Sequence, residues 1–358
     1  MRKFILNITL LLLPFSILVA SANYFIDPGN VFSSGNYEKE IAKTLLEGHN
    51  IDNLQNFNER IALRDLITNL SYKPNIVCIG TSRSLQISSS FFENKKFINC
   101  SFSHGNIKDF IATIGLLDSC DKLPTEIYLE TSSTLINSSD TYEWESIYQY
   151  YLYEVSKLKV SLDNEPHYFK ARSVKKKVEA LFSLAYFQKS FSGFFTQKSS
   201  NFKDVGILMP SNFGRLADFS ITYPKSYKNP DTLKAMSDAE IFVSKNTIPE
   251  IGNAELKVLK NILKYLKSKN VKITLLNIPF QHDCYNIFEN KNKAFIGISE
   301  DIKRFAIEMN VSLVGTLNPY EAGINRGEFF DQLHCSQSAL RKVFKIIQYT
   351  PTQSSPFR

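Results

Sequence analysis

Two stretches of the chain alternate short apolar runs with longer amphipathic ones, and they enclose a stretch that does neither. In the first, Asn75-Ile-Val-Cys-Ile-Gly80 is a continuous apolar run closed by glycine, the pattern of a strand buried on both faces. Lys96–Asn99 predicts a second short strand. Ile107, Phe110, Ile111, Ile114 and Leu117 then recur at helical spacing behind Asn106 as a cap, and Glu126–Glu130 predicts a third strand. In the second stretch, Leu256, Leu259, Ile262, Leu263 and Leu266 predict a helix over 255–267, and Val271–Ile278 a strand stopped by Pro279. A helix over 299–309, a strand over 311–314 and a final helix from Ser336, its cap, to about Gln348 follow. Strands that alternate with helices predict an α/β fold with a parallel sheet covered on both faces. Residues from about 140 to 250, rich in Tyr, Phe, Lys and Ser, predict a largely helical and irregular insertion, a lid or a substrate platform. Residues 25–74 approach the core through helices around 38–46 and 59–70.

The N-terminus changes where this fold is expected to work. Arg2 and Lys3 precede an apolar run from Phe4 to about Ala22, long enough as a helix to cross a hydrocarbon core of ~30 Å. The basic end stays in the cytoplasm. Residues 1–24 therefore predict a single-pass anchor in the inner (cytoplasmic) membrane, with 25–358 on its periplasmic or extracellular side. Ala20-Ser21-Ala22 equally fits a cleavage site, which makes the segment a signal peptide and the product secreted. The net charge of +7 is spread over scattered lysines, densest at Lys175-Lys176-Lys177. That is either a solvated basic face or a surface suited to an anionic polymer or lipid; no nucleic-acid motif accompanies it. The five cysteines show no C-x-x-C spacing, so no structural zinc site is expected, and their odd number leaves at least one unpaired within the chain.

Two short motifs carry candidate chemistry. Gly80-Thr81-Ser82-Arg83-Ser84 directly follows the first core strand, and sites in open parallel sheets lie beyond the carboxyl ends of the strands. A serine there either stands at the mouth of a helix, where N–H groups stabilise an oxyanion, or only caps that helix. Asp331-Gln-Leu-His334 precedes the final helix. A serine hydroxyl needs a base to take its proton, and an imidazole oriented by a carboxylate supplies one near neutral pH.

Taken together, these motifs resemble the first and last blocks of the SGNH/GDSL hydrolases, and Asn99-Cys-Ser-Phe-Ser-His-Gly105 resembles the second. Asn23-Tyr-Phe-Ile-Asp-Pro-Gly29 after a hydrophobic helix is similar to membrane-anchored envelope proteins of that type, relatives of the alginate O-acetylation proteins and of the D-alanyl transfer protein of teichoic acids. The resemblance implies a three-layer, flavodoxin-like SGNH sandwich over 25–358. It makes Ser82 the nucleophile, His334 the base and Asp331 its partner, with the N–H groups of Ser82 and Gly105 as oxyanion donors. The third block departs from the family pattern, with no G-x-N-D after the third strand; Asn137 is the nearest asparagine. Arg83, His104 and His282 are further candidates for contact with substrate, and His104 is the alternative base. No metal or cofactor is implied. The expected activity is that of an exported serine esterase or O-acyltransferase on acyl esters of envelope glycans. Its expected partners are an envelope polysaccharide or lipid-linked acyl substrate and a membrane acyltransferase. A non-catalytic accessory or glycan-binding protein, and an esterase of membrane lipids, are the alternatives.

Overall fold

The computed structural model describes residues 2–27, 31–32, 35–54, 57–131, 143–159, 174–175, 177–196, 202–224, 238–243, 253–291 and 293–351. Its centre is a sheet of five parallel strands: β2 (Ile76–Ile79), β3 (Phe97–Asn99), β4 (Glu126–Glu130), β8 (Lys272–Asn277) and β9 (Ser312–Gly315). A sixth strand, β10 (Ile347–Tyr349), pairs antiparallel with β9 at one edge. Across the sheet the order is β10-β9-β8-β4-β2-β3. Counting only the parallel strands in chain order, this is 2-1-3-4-5, a doubly wound order whose crossovers diverge between β2 and β4.

Alternation along each strand explains the two layers that cover the sheet. Val77, Ile79, Ile127, Leu129, Ile273, Leu275 and Leu313 face one core. That core is filled by α2 (Asn36–Leu46), α3 (Glu59–Asn69), α4 (Ile107–Ser119), α5 (Tyr148–Leu158), α7 (Asn253–Ser268) and α9 (Lys293–Met309). Ile76, Cys78, Phe97, Leu276 and Ile278 face a smaller core closed by α10 (Gln337–Val343). The four helices expected from apolar spacing are present. Asn106 caps α4 as expected, and its side chain and that of Asp109 form a reciprocal capping box. The last helix ends at Val343 rather than near Gln348, because the chain turns there to add β10 to the sheet.

The central stretch is less irregular than its composition predicts. β5 (Lys203–Gly206), β6 (Gly214–Arg215) and β7 (Ile221–Thr222) join β1 (Asn50–Asp52) in a second, antiparallel sheet ordered β5-β1-β6-β7. Its far end is tied to the main sheet: the Ile221 N–H donates to the Leu85 carbonyl at 2.8 Å, and the Asn99 N–H to the Asp218 carbonyl at 2.8 Å. The aromatics around 144–151 mostly pack, Trp144 against Tyr151 at 4.7 Å between ring centres. The helix α8 (His282–Lys291) was not foreseen.

The expected membrane segment falls on α1 (Arg2–Ile26), where the side chains of residues 2–9 and 11 lie outside the described ones. Among the described residues no helix is long and apolar enough to cross a membrane. Near its end, the buried Asn23 amide donates to the carbonyls of Ala180, Leu181 and Ser183 and accepts from Ser190, which joins α1 to α6 (Leu184–Thr196).

Helices α4 and α5 meet at backbone contact through Gly115, where an added Cβ would lie 2.2 Å from the Tyr150 carbonyl oxygen. Backbone cannot retreat as a flexible side chain can, so Gly115→Ala should cost about 2–3 kcal/mol. Urea unfolding measures it; an unchanged midpoint would show that the two helices separate freely.

Candidate active site

The site begins where β2 ends. Ser82 does not open a helix: residues 82–86 form consecutive turns, with Ser84 N–H on the Thr81 carbonyl (3.1 Å) and Ile87 N–H on that of Ser84 (3.0 Å). The expected helix mouth and its dipole are therefore not what this serine uses, and it caps no helix. Instead the turn is held from beneath by Glu130, the last residue of β4. Its buried carboxylate accepts the Thr81 N–H (2.8 Å), the Thr81 hydroxyl (3.0 Å) and the Ser84 hydroxyl (3.0 Å). Asn99, at the end of β3, adds a second clamp: its amide donates to the carbonyls of Ser84, Leu85 and Ile87, and its oxygen accepts the Ser101 N–H. Ser84 is thus turned inward and fully buried, while Ser82 is left half-buried at the surface of the turn.

The second component is the loop before α10. Asp331 Oδ1 accepts the backbone N–H groups of Leu333 and His334, both at 2.8 Å, so the carboxylate folds the loop around itself. Phe329 and Cys335 close the loop as an antiparallel bridge. The other carboxylate oxygen, Oδ2, lies 2.7 Å from His334 Nδ1, and His334 Nε2 lies 2.7 Å from Ser82 Oγ. Burial raises the Asp331 pKa, but the His334 side chain and the two N–H groups outweigh it and hold the carboxyl below its ordinary value. An ionised carboxylate only accepts. Nδ1 therefore carries the imidazole proton, and Nε2 accepts from the Ser82 hydroxyl. Gln86 fastens the two loops, its amide donating to the Cys335 carbonyl at 2.6 Å while Gln337 donates to the Gln86 carbonyl at 3.2 Å.

The remaining candidates take other places. Gly105 lies against the Ser82 turn, where an added Cβ would meet the Gly80 carbonyl oxygen at 2.8 Å, but its own N–H is directed to the Phe102 carbonyl at 3.2 Å. Asn137 lies outside the described residues. Arg83 is not on the cleft wall: it is 2% exposed, stacks on Phe280 at 4.2 Å and donates to the Ile278 carbonyl. Burial lowers its pKa, while the charges of Glu130 and Asp331 act in the opposite sense. Such a cation is structural. His282 is likewise buried, as the first residue of α8, edge-on to Tyr320 and Phe329, and burial, then the Arg326 charge, lowers its pKa. It packs behind the 329–335 loop rather than at its mouth. His104 is exposed, in a left-handed turn (φ 52°) beside Ser103. Glu59 accepts from the Ser103 N–H and hydroxyl, and Arg60 donates to the Ser103 carbonyl, so α3 fixes the segment before Gly105. Cys335, next to His334, is a buried free thiol whose pKa burial pushes up to about 12, which leaves it inert as a nucleophile.

Glu130, Asn99 and Gln86 were not foreseen as parts of the site. The readable signal was Glu130 itself, a carboxylate at the carboxyl end of a core strand. Tyr223 was also missed; its ring centre lies 6.0 Å from that of His334 and makes one wall of the site.

Glu130→Ala would leave the Thr81 N–H without this acceptor, at about 1–3 kcal/mol for a buried group left unsatisfied, while the Ser84 hydroxyl keeps the Thr81 carbonyl and the Ser101 hydroxyl. A loss of roughly 1–3 kcal/mol in urea unfolding is expected. Asp331 has the pH signature of a depressed carboxyl: its stabilisation is full above the unfolded pKa of about 3.9 and disappears as pH falls through the lower folded value. The stability difference between the wild type and Asp331→Asn, followed from pH 6 downward, should close below that point. A difference that stays constant would show that the carboxylate charge contributes nothing.

No protein-family model matches this chain and no curated protein matches it, so the functional reading rests on the arrangement of Ser82, His334 and Asp331.

Proposed function

We propose that this chain is an exported serine esterase or O-acyltransferase of the SGNH type, held at the cytoplasmic membrane and acting on acyl esters of envelope glycans. The observation that carries the reading is the continuous pair of 2.7 Å contacts from Asp331 through His334 to Ser82. Support also comes from its place, beyond the carboxyl end of β2 at the strand pair where the crossovers diverge.

The reaction follows from the tautomer. Ser82 Oγ attacks the ester carbonyl carbon as His334 Nε2 takes its proton, and Asp331 balances the imidazolium. The negative charge that develops on the carbonyl oxygen meets the Ser82 N–H, which makes no hydrogen bond among the described residues. Gly105 joins as a donor only by releasing its 3.2 Å bond to Phe102. The ester C–O bond then breaks, the alcohol leaves with the proton from Nε2, and an acyl-serine remains. Water, or a sugar hydroxyl, gives its proton to Nε2 and attacks the acyl carbon, which regenerates Ser82. Water makes the chain an esterase and a sugar makes it an O-acyltransferase.

A fluorophosphonate probe should label the wild type at Ser82, and Ser82→Ala should abolish labelling. His334→Ala should lower turnover of a soluble ester by on the order of a thousandfold, with far smaller effects from His104→Ala and His282→Ala. Absence of labelling in the folded wild type would replace this reading with that of a non-catalytic envelope protein.

A further inference from the structure

The turn between β5 and β6 carries Ile207, Leu208 and Met209 in succession, 87%, 69% and 63% exposed. Three adjacent large apolar side chains in water are costly, and this turn cannot fold them away because polar groups fix its base. Asp52 accepts the Ser211 N–H and hydroxyl and the Asn212 N–H. Asn50 donates to the Leu208 carbonyl, and the Leu54 N–H to that of Phe213. The polar side of the hairpin is thus held inward and the apolar tip is held out.

The tip is connected to the catalytic residues. Phe213, just beyond it, meets Tyr223 edge-on at 4.8 Å, and Tyr223 lies 5.1 Å from Phe330 and 6.0 Å from the His334 ring. An aromatic row therefore runs from Phe213, at the base of the projecting turn, to the wall of the Ser82 site.

We propose that the 207–209 tip inserts into the interface of a lipid bilayer, so that the Ser82 site takes acyl esters presented at the membrane surface. Two observations choose lipid over a protein partner. Three side chains cover far less than the roughly 1,200 Å² a specific protein interface needs, and Ile-Leu-Met offers no side-chain donor for directional recognition. The chain also exposes apolar side chains all round α1, at Leu12, Leu13, Phe15, Ile17 and Leu18, a surface that lipid accepts and water does not. The net charge of +7 adds attraction to anionic headgroups. Insertion stands independently of the ester chemistry; only the substrate class it assigns rests on the proposed function.

The test uses the full chain in vesicles of phosphatidylglycerol and phosphatidylethanolamine, with and without brominated acyl chains. The single native tryptophan, Trp144, is buried and gives a constant background. Leu208→Trp should emit further to the blue with vesicles than without and lose at least half of its added emission to the bromines. Ile307→Trp, on the exposed side of α9, should not. Ile207→Asp with Met209→Asp in the Leu208→Trp chain should return the emission to its aqueous position. Equal quenching at 208 and 307, or none at 208, overturns the proposal. A chain that inserts but takes no fluorophosphonate at Ser82 would keep the docking and lose the reading on which its substrate rests.

Discussion

The site depends on one buried carboxylate. Glu130 ends the strand next to β2 and receives three donors from the turn that presents Ser82. A carboxylate without water needs its lone pairs filled, and the turn after β2 is shaped to fill them. That requirement also explains Gly80: an added Cβ would lie 2.1 Å from the Ser84 hydroxyl and 2.6 Å from Glu130 Oε2, so any side chain there would break the contact. Ser84 is consumed in satisfying Glu130, and Ser82 is the serine the same turn leaves at the surface. The serine that meets His334 is thus selected by what its neighbours must do.

The two halves of the triad lie 252 residues apart and meet because both follow β-strands onto one carboxyl edge. Loops of this kind are mobile unless something ties them. Here Asp331 organises its own loop through two backbone N–H groups before it touches His334, and Gln86 and Gln337 tie that loop to the Ser82 turn. The imidazole is consequently held against the Ser82 hydroxyl with little freedom left to it, the preorganisation that the proposed acyl transfer would require.

Much of the main sheet was legible because its inner strands β2 and β8 are buried on both faces and must read as apolar runs, as 75–80 and 271–278 do. The second sheet was not, because strands of two to four residues such as Gly214–Arg215 and Ile221–Thr222 are too short to show alternation. β10 was missed for the opposite reason: 344–349 continues the apolar spacing of α10 and reads as more helix. In the site, Ser82, Asp331 and His334 were legible as residue types in a recognisable order. Glu130, Asn99 and Gln86 were not, since their roles consist of contacts across 46, 15 and 249 residues that no local pattern encodes. Arg83 misled for a physical reason. A cation beside a candidate nucleophile reads as an anion holder, yet the turn buries every residue from Arg83 to Ser88 and takes this one inward.

That inward arginine completes the electrostatics. Arg83 lies within the fields of both Glu130 and Asp331, so one buried positive charge faces the carboxylate that shapes the serine turn and the carboxylate that orients the histidine. Two anions left alone in the same low-dielectric region would repel, and one would protonate. A protonated Asp331 could donate to His334 Nδ1, which would move the ring proton to Nε2 and turn the imidazole's accepting face away from Ser82. His334 and the two backbone N–H groups hold Asp331 below its ordinary value, so Nδ1 remains the donor and Nε2 remains free to accept, and the buried Arg83 charge acts in the same electrostatic neighbourhood.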